Sequence, residues 1–297
     1  MKYGKVAIVG RPNTGKSTLL NAIMNQKVAI TSPLPQTTRR SQAVIYSDDR
    51  GKIMFVDTPG LIGKVEDLLS KRVNEEIPRE LAKADLIVTL VDITRPKNEE
   101  ENKVLGLMRK MKCKKILVYN KIDKAFGPKN HLPDYNYLEE EFDRTVSISA
   151  IKLKNIKQLL IDIFELLPAR INKGTKESIE AMTAEVRPLT AMSSKEYIEE
   201  IIREKAYLFL RDELPYTVFV EVEKVEDKKK LIYIAAAIYT NADKYKKMII
   251  GAHGQKIKEI GFNARKELEL MSSRKIFLDL TVKTDIHWNE RVIVGMK

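Results

Sequence analysis

At 297 residues the chain has room for two domains of ordinary size, and 32% charged residues with a formal charge of +12 point to a polyanionic partner, nucleic acid or an anionic membrane surface. A single cysteine, Cys113, excludes an internal disulfide and is expected to be structural. No run of about 18 apolar residues offers a spanning helix and no apolar leader precedes the first strand, so a cytoplasmic protein is expected.

The first strand is read at Val6–Val9. Directly after it, Gly10-Arg11-Pro12-Asn13-Thr14-Gly15-Lys16-Ser17 fits the phosphate-loop spacing GxxxxGK[ST], and Thr18–Met24 is helical in pattern. Glycines let the backbone wrap closely, so that amide N–H groups and the positive end of the next helix face a phosphate chain. Lys16 supplies a point charge to the β- and γ-phosphates, and the Ser17 hydroxyl is placed for Mg²⁺. The Asn13 side-chain oxygen can either hold K⁺ beside the phosphates or stabilise the turn, and the chemistry leaves both open.

Thr37 and Thr38 lie between the loop helix and the next strand, Lys52–Val56. A hydroxyl there can ligate Mg²⁺ only when a γ-phosphate is present, which would make the segment a switch; Thr38 is favoured. Asp57-Thr58-Pro59-Gly60 ends that strand: Asp57 suits the Mg²⁺ shell, and the Gly60 N–H suits the γ-phosphate. Lys16, Thr38, Asp57 and Gly60 are therefore expected to carry catalysis. Leu61 stands where a water-orienting glutamine would be useful, so intrinsic turnover is expected to be slow.

Strands follow at Leu86–Val91, Ile116–Tyr119 and Val146–Ile148. Asn120-Lys121-Ile122-Asp123 comes straight after the second of these. A carboxylate at Asp123 can accept two hydrogen bonds from guanine N1–H and N2–H₂, a donor pair adenine lacks, which argues against an ATPase or small-molecule kinase. Asn120 would brace the site, the Lys121 stem would lie over the base, and Ser149-Ala150 would complete the pocket through backbone groups. Short Val/Ile-rich runs alternating with helical patterns predict an α/β domain with a mainly parallel sheet over 1–168.

Residues 169–192 are polar and weakly periodic and read as a linker. Ser193 and Glu196 then form a capping-box pattern, and Ile198, Ile201, Ile202, Ala206 and Phe209 continue at helical spacing towards a stop near Leu214. Val218–Val222 and Leu231–Tyr239 read as strands around a charged turn at Asp227–Lys230. Asp243–Ile250 is helical, Ile250-Gly251-Ala252-His253-Gly254 forms a Gly-x-x-Gly turn, a second helix carries Ile257, Ile260, Ala264, Leu268 and Met271, and Ile276–Val282 is a closing strand. The order α-β-β-α-α-β with a Gly-x-x-Gly turn between the last helices suits close approach of an RNA backbone. Nine basic residues against three acidic ones between 244 and 275 supply the charge. Ile250, Gly251, Ala252, His253, Gly254, Gln255, Lys256 and Lys258 are the expected RNA contacts.

The segments GRPNTGKSTLLNAI, PQTTRR, DTPGL, NKID and SISA, followed by EEIIREKA, DELPYTV and IIGAHGQKIKEIG, closely resemble the Era family of bacterial GTPases over nearly the whole chain. The resemblance implies a GTPase domain joined to a type II KH domain, spanning 193–297. It implies GTP and GDP as nucleotides, binding of 16S ribosomal RNA near its 3′ end, and a role in assembly of the 30S ribosomal subunit. Peripheral association with the inner face of the cell membrane is also implied, and the chain is expected to act as a monomer. It further implies that the Leu61 position is apolar across related GTPases, and that Asn13 matches the residue linked to potassium activation. Where the family often carries a lysine in the Gly-x-x-Gly loop, this chain has Ala252-His253.

Overall fold

Short apolar runs with no polar alternation need cover on both faces, and the computed structural model places them at the centre of a six-stranded sheet. It describes residues 2–29, 42–58, 77–79, 81–168, 194–210 and 214–288. These fall into two compact units, one holding the described residues up to 168 and the other those from 194 onwards. Thr37, Thr38, Pro59, Gly60, Leu61, Ser193 and the linker 169–192 lie outside the described residues.

The first unit runs β1 (Lys2–Val9), α1 (Lys16–Met24), β2 (Gln42–Asp48), β3 (Gly51–Asp57), β4 (Leu86–Asp92), α2 (Glu99–Lys110), β5 (Lys114–Asn120), β6 (Arg144–Ser147) and α3 (Ile156–Leu166). Sheet order is β2-β3-β1-β4-β5-β6, parallel except for the β2–β3 pair. Every residue of β4 is buried. In β1, Ala7 and Val9 pack with Val104 and Met108 of α2. Val6 and Ile8 point to the other face by the period of two and are equally buried. Gly4, on that second face, sits so close to Leu167 that a Cβ would come within 2.4 Å of it.

One strand departs from the sequence reading. β2 is a strand the periodicity did not single out: an antiparallel edge with Val44 opposite Phe55, and among its described side chains Val44 alone is buried. Between β5 and β6 the chain forms 3₁₀ turns at Gly127–Lys129 and Leu132–Glu141. Prolines at the start of both turns favour such short tight structure.

Parallel topology gathers the C-terminal ends of β1, β3, β4 and β5 at one edge of the sheet. The segments beginning at Gly10, Thr58, Ile93 and Lys121 therefore leave the sheet side by side, the place where open α/β sheets bind ligands.

The second unit runs α4 (Ser194–Phe209), a 3₁₀ turn at Leu214–Thr217, β7 (Val218–Lys228), β8 (Leu231–Thr240), α5 (Asp243–Ile250), α6 (Gln255–Ser272) and β9 (Ile276–Thr284). β7 pairs antiparallel with β8, and β8 pairs parallel with β9. Ile201, Ile202 and Ala206 of α4 and Ile260, Ala264 and Leu268 of α6 close one core with the even-numbered residues of the strands. The expected element order is therefore present, with two corrections. α4 ends at Phe209, and Leu214 instead opens a 3₁₀ turn, closed by a bond from Thr217 Oγ1 to the Leu214 carbonyl (2.8 Å); Pro215 is tolerated there because its missing N–H falls in a first turn. The β7–β8 turn is only Lys229–Lys230, so Asp227 and Lys228 belong to the strand, where Lys228 pairs with Leu231.

Candidate functional site

The loop between β1 and α1 is shaped by backbone that few residues adopt. Asn13 (φ 63°) and Gly15 (φ 97°) are left-handed. A Cβ on Gly15 would lie 2.5 Å from Asn120 Nδ2, and one on Gly10 would lie 2.4 Å from the Leu90 carbonyl oxygen. These two glycines are therefore required by close approach, not by flexibility.

Around the loop, polar groups brace one another. Thr14 is buried, and its hydroxyl donates to the Arg11 carbonyl (3.1 Å). The Arg11 side chain turns away into the protein, 2% exposed, with Nε 2.9 Å from Glu101 Oε2 and Nη1 donating to the Pro96 carbonyl (3.1 Å). Tyr135 donates to the same Glu101 carboxylate (3.0 Å). Burial pushes the Glu101 carboxyl up, while Arg11 and the Tyr135 hydroxyl pull it down. Arg11 thus fastens the loop to α2 and offers only its backbone to a ligand. The Lys16 ammonium donates to the Gly10 and Arg11 carbonyls (3.1 Å each), and burial pushes its pKa down to about 8 against the attraction of Asp57 and Glu101.

Ser17 Oγ donates to Asp57 Oδ2 at 2.6 Å, across 40 residues of chain, with Asp57 fully buried at the end of β3. These are hard oxygen donors of the kind Mg²⁺ takes, one in the first turn of α1 and one at the end of β3. Thr18 is half-buried in the first turn of α1. The Thr58 hydroxyl is committed to the Ile8 carbonyl (2.8 Å), so its side chain ties β3 to β1.

The Asn120–Asp123 segment joins this loop to the Ser149–Ala150 segment after β6. Asn120 Nδ2 donates to the Thr14 carbonyl (2.8 Å), and its Oδ1 accepts from the Ala150 amide (3.1 Å). Lys121, left-handed at φ 69°, donates to the Asn13 carbonyl and to Asp92 Oδ2, both at 2.7 Å. Asp123 Oδ1 accepts from Ser149 Oγ at 2.5 Å, and Ser149 Oγ accepts from the Lys152 amide at 3.1 Å. The Ile122 side chain packs beside Tyr119 and Tyr135, so it serves the core.

Asp92 is the residue that sequence reasoning missed. It is buried at the end of β4 and accepts from Lys121, from Thr94 Oγ1 (2.6 Å) and from Arg95 Nε (2.8 Å), while Arg95 also donates to the Pro12 carbonyl (3.1 Å). Burial works to raise its carboxyl, but the hydrogen bonds from Lys121 and Thr94 hold it below the usual carboxylate range. The available signal was an acid ending a seven-residue strand otherwise free of charge.

In the second unit the Gly-x-x-Gly turn is equally specific. Gly251 has φ 73°, and a Cβ there would lie 2.9 Å from Lys256 Cγ. His253 (φ 51°) and Gly254 (φ 73°) are left-handed, and Gly254 caps α6. Ala252, His253, Gln255 and Lys258 are exposed, while Ile250, Gly251, Gly254 and Lys256 are half-buried. Beside the turn an open cleft of about 330 Å³ lies between α6 and β9, lined by Ile257, Lys258, Gly261, Phe262, Leu278 and Leu280 among others. Arg265 also lines it, with its guanidinium 5.6 Å from the Phe262 ring centre. The turn offers backbone and cations, and the cleft offers an apolar floor. Leu278 and Leu280 escaped the sequence reading because strand periodicity marks them as core.

Among the described residues no helix is long and apolar enough to cross a membrane. Residues 5–121 match the family model of the 50S ribosome-binding GTPase, and residues 213–289 match that of the KH domain. The chain is 39% identical over 301 residues to the GTPase Era of Thermoanaerobacter pseudethanolicus, covering all of this chain and 95% of that one. It is 36% identical to the GTPase Era of Borreliella burgdorferi, covering 98% and 97%. Two solved structures superpose with a TM-score of 0.85 at 32% identity, covering 98% of this chain and 96% of theirs: an Aquifex aeolicus Era variant bound to GDP·AlF4⁻, and Era in complex with MgGDPNP and nucleotides 1506–1542 of 16S ribosomal RNA.

Proposed function

Because the chain belongs to the Era family of GTPases, we propose that it couples GTP binding and slow hydrolysis to binding of 16S ribosomal RNA near its 3′ end, in assembly of the 30S subunit. We assign the nucleotide domain to 1–168, the linker to 169–192 and the RNA-binding KH domain to 193–297. The observation that carries the reading is that a single side chain, Asn120, bonds the phosphate loop at Thr14 and the base loop at Ala150. That bridge supports one nucleotide gripped at both ends.

In this reading the amides from Gly10 to Thr18 and the N-terminus of α1 receive the phosphates, with Lys16 as the mobile charge. Ser17, Asp57 and the switch residue Thr38 would hold Mg²⁺, which would supply positive charge to the phosphate oxygens. The Gly60 amide, between Pro59 and Leu61, is assigned to the γ-phosphate. Asp123 reads guanine, held by Ser149. Leu61 cannot orient water, so turnover is slow. The all-oxygen Ser17–Asp57 pair, and the MgGDPNP bound by the related Era, support the metal.

For RNA, the turn Ile250–Gly254 with Gln255, Lys256 and Lys258 receives the backbone and the cleft receives bases. K⁺ at Asn13 belongs to the proposal, tested by turnover in potassium against sodium salts. So do monomeric action and a cytoplasmic site with peripheral membrane contact.

Crosslinking the protein to cellular RNA tests the reading. Enrichment of the 16S 3′ end through the peptide spanning Ile250–Lys258 is expected, with multiple-turnover phosphate release lost in Lys16→Ala. Crosslinks scattered over unrelated RNAs would refute it.

A further inference from the structure

Strands β8 and β9 send their even-numbered residues into the core and their odd-numbered residues to the opposite face of the sheet. On that opposite face Tyr233 and Phe277 are direct cross-strand partners. Their rings stack with centres 5.8 Å apart and planes within 13°. The Lys228 ammonium covers the Tyr233 ring at 4.9 Å. Phe277 is 56% exposed and sits on β9, the edge strand of the described sheet. The order is thus cation, tyrosine, phenylalanine, and the stack ends at the sheet edge in an exposed ring.

The surroundings are basic. Residues 224–230 and 274–279 hold six basic and three acidic residues. Two of the acids are already engaged: Arg274 grips Asp227 with both Nη atoms (2.6 and 2.8 Å), and Lys224 lies 2.5 Å from Glu226. Asp279 accepts from the Tyr233 hydroxyl at 3.2 Å, which holds that ring in place. Arg274 also donates to the Lys228 carbonyl (3.0 Å), so the β7–β8 hairpin and the turn before β9 form one surface. Lys229, Lys230 and Lys275 project from it, all exposed. An exposed flat ring amid mobile cations is what a sequence-tolerant single-stranded nucleic acid site requires.

This surface is separate from the Gly-x-x-Gly turn and adjoins the cleft along β9, where Asp279 belongs to both. It lies at the C-terminal end of α6, whose 18 residues put roughly 27 Å between the two ends, and on the other face of the sheet.

We propose that the Tyr233–Phe277 stack is a second RNA-contact surface, on which an unpaired base continues the stack over Phe277 while the hairpin lysines hold the flanking phosphates. It rests on the RNA-binding reading above and extends it to a longer strand than the cleft alone can hold.

Affinity is compared for an RNA of about four nucleotides, the length a Gly-x-x-Gly groove clamps, and for a strand roughly five times longer from the same sequence. Phe277→Ala is expected to weaken the longer RNA by about tenfold and to leave the short one unchanged. Phe277→Trp should restore binding and Phe277→Leu should not, with thermal melting showing each variant folded. Ultraviolet crosslinking should map the longer RNA to the peptide containing Phe277. Equal affinity of Phe277→Ala and the unmodified chain for the longer RNA overturns the proposal. So does equal loss on both RNAs, or a crosslink to protein with none to RNA. A Gly254→Asp variant separates the readings: if it weakens neither RNA, the cleft assignment fails, while the Phe277 comparison still decides the second surface.

Discussion

In the proposed function, base choice rests on one carboxylate and its brace. Ser149 fixes Asp123 at 2.5 Å, so the acid cannot swing to suit another base. Asp123→Asn exchanges an acceptor for a donor, which suits the carbonyl of xanthine where guanine has an amine. GTP affinity should fall by on the order of a thousandfold and XTP affinity should rise, as competition binding would show; unchanged guanine preference contradicts the assignment. Lys16 gives a pH signature. Its buried ammonium has a pKa of about 8, and only the charged form attracts phosphate. A bound phosphate chain raises that pKa, so the free protein loses its proton first as pH climbs. Nucleotide affinity should therefore be flat below pH 8 and fall by up to about tenfold per unit above it. A flat titration between pH 7 and 9 would show that Lys16 does not set binding.

At the scale of elements, the β2–β3 hairpin turns on Gly51. Its φ is 150°, and a Cβ there would sit 1.8 Å from the Lys2 carbonyl oxygen of β1. Gly51→Ala should destabilise the first unit by roughly 3 kcal/mol, read as a lower denaturation midpoint; an unchanged midpoint would mean the turn relaxes freely. In the second unit, Ala252 is exposed at the head of α6. Ala252→Lys should add one phosphate contact, raising RNA affinity and steepening its salt dependence by about 0.7 in log–log slope. A slope unchanged by the extra lysine would place the phosphates elsewhere. Most of these elements were legible in sequence because β4 is an unbroken apolar run, β9 alternates with period two and α6 keeps a period of 3.6. β2 was not, since an edge strand carries a weak pattern. Nor was the end of α4, because a proline predicts only that a helix stops before it.

For the whole molecule, the motifs announced the sites but not what holds them rigid. The Gly10–Ser17 and Asn120–Asp123 segments read directly as a nucleotide pocket, since each needs only local spacing. Asp92, Glu101 and Tyr135 carry no motif, because their roles arise from contacts across 29 to 34 residues of chain. The α6–β9 cleft was hidden for the same reason: Leu278 and Leu280 look like core until the strand is known to be an edge. The coupling between nucleotide and RNA in the proposed function must be reciprocal. The direct test is the affinity of one 16S 3′-end RNA for the protein loaded with a non-hydrolysable GTP analogue and with GDP. Tighter binding in the analogue state, by about fivefold or more, is the predicted result, and equal affinity in the two states would contradict the account.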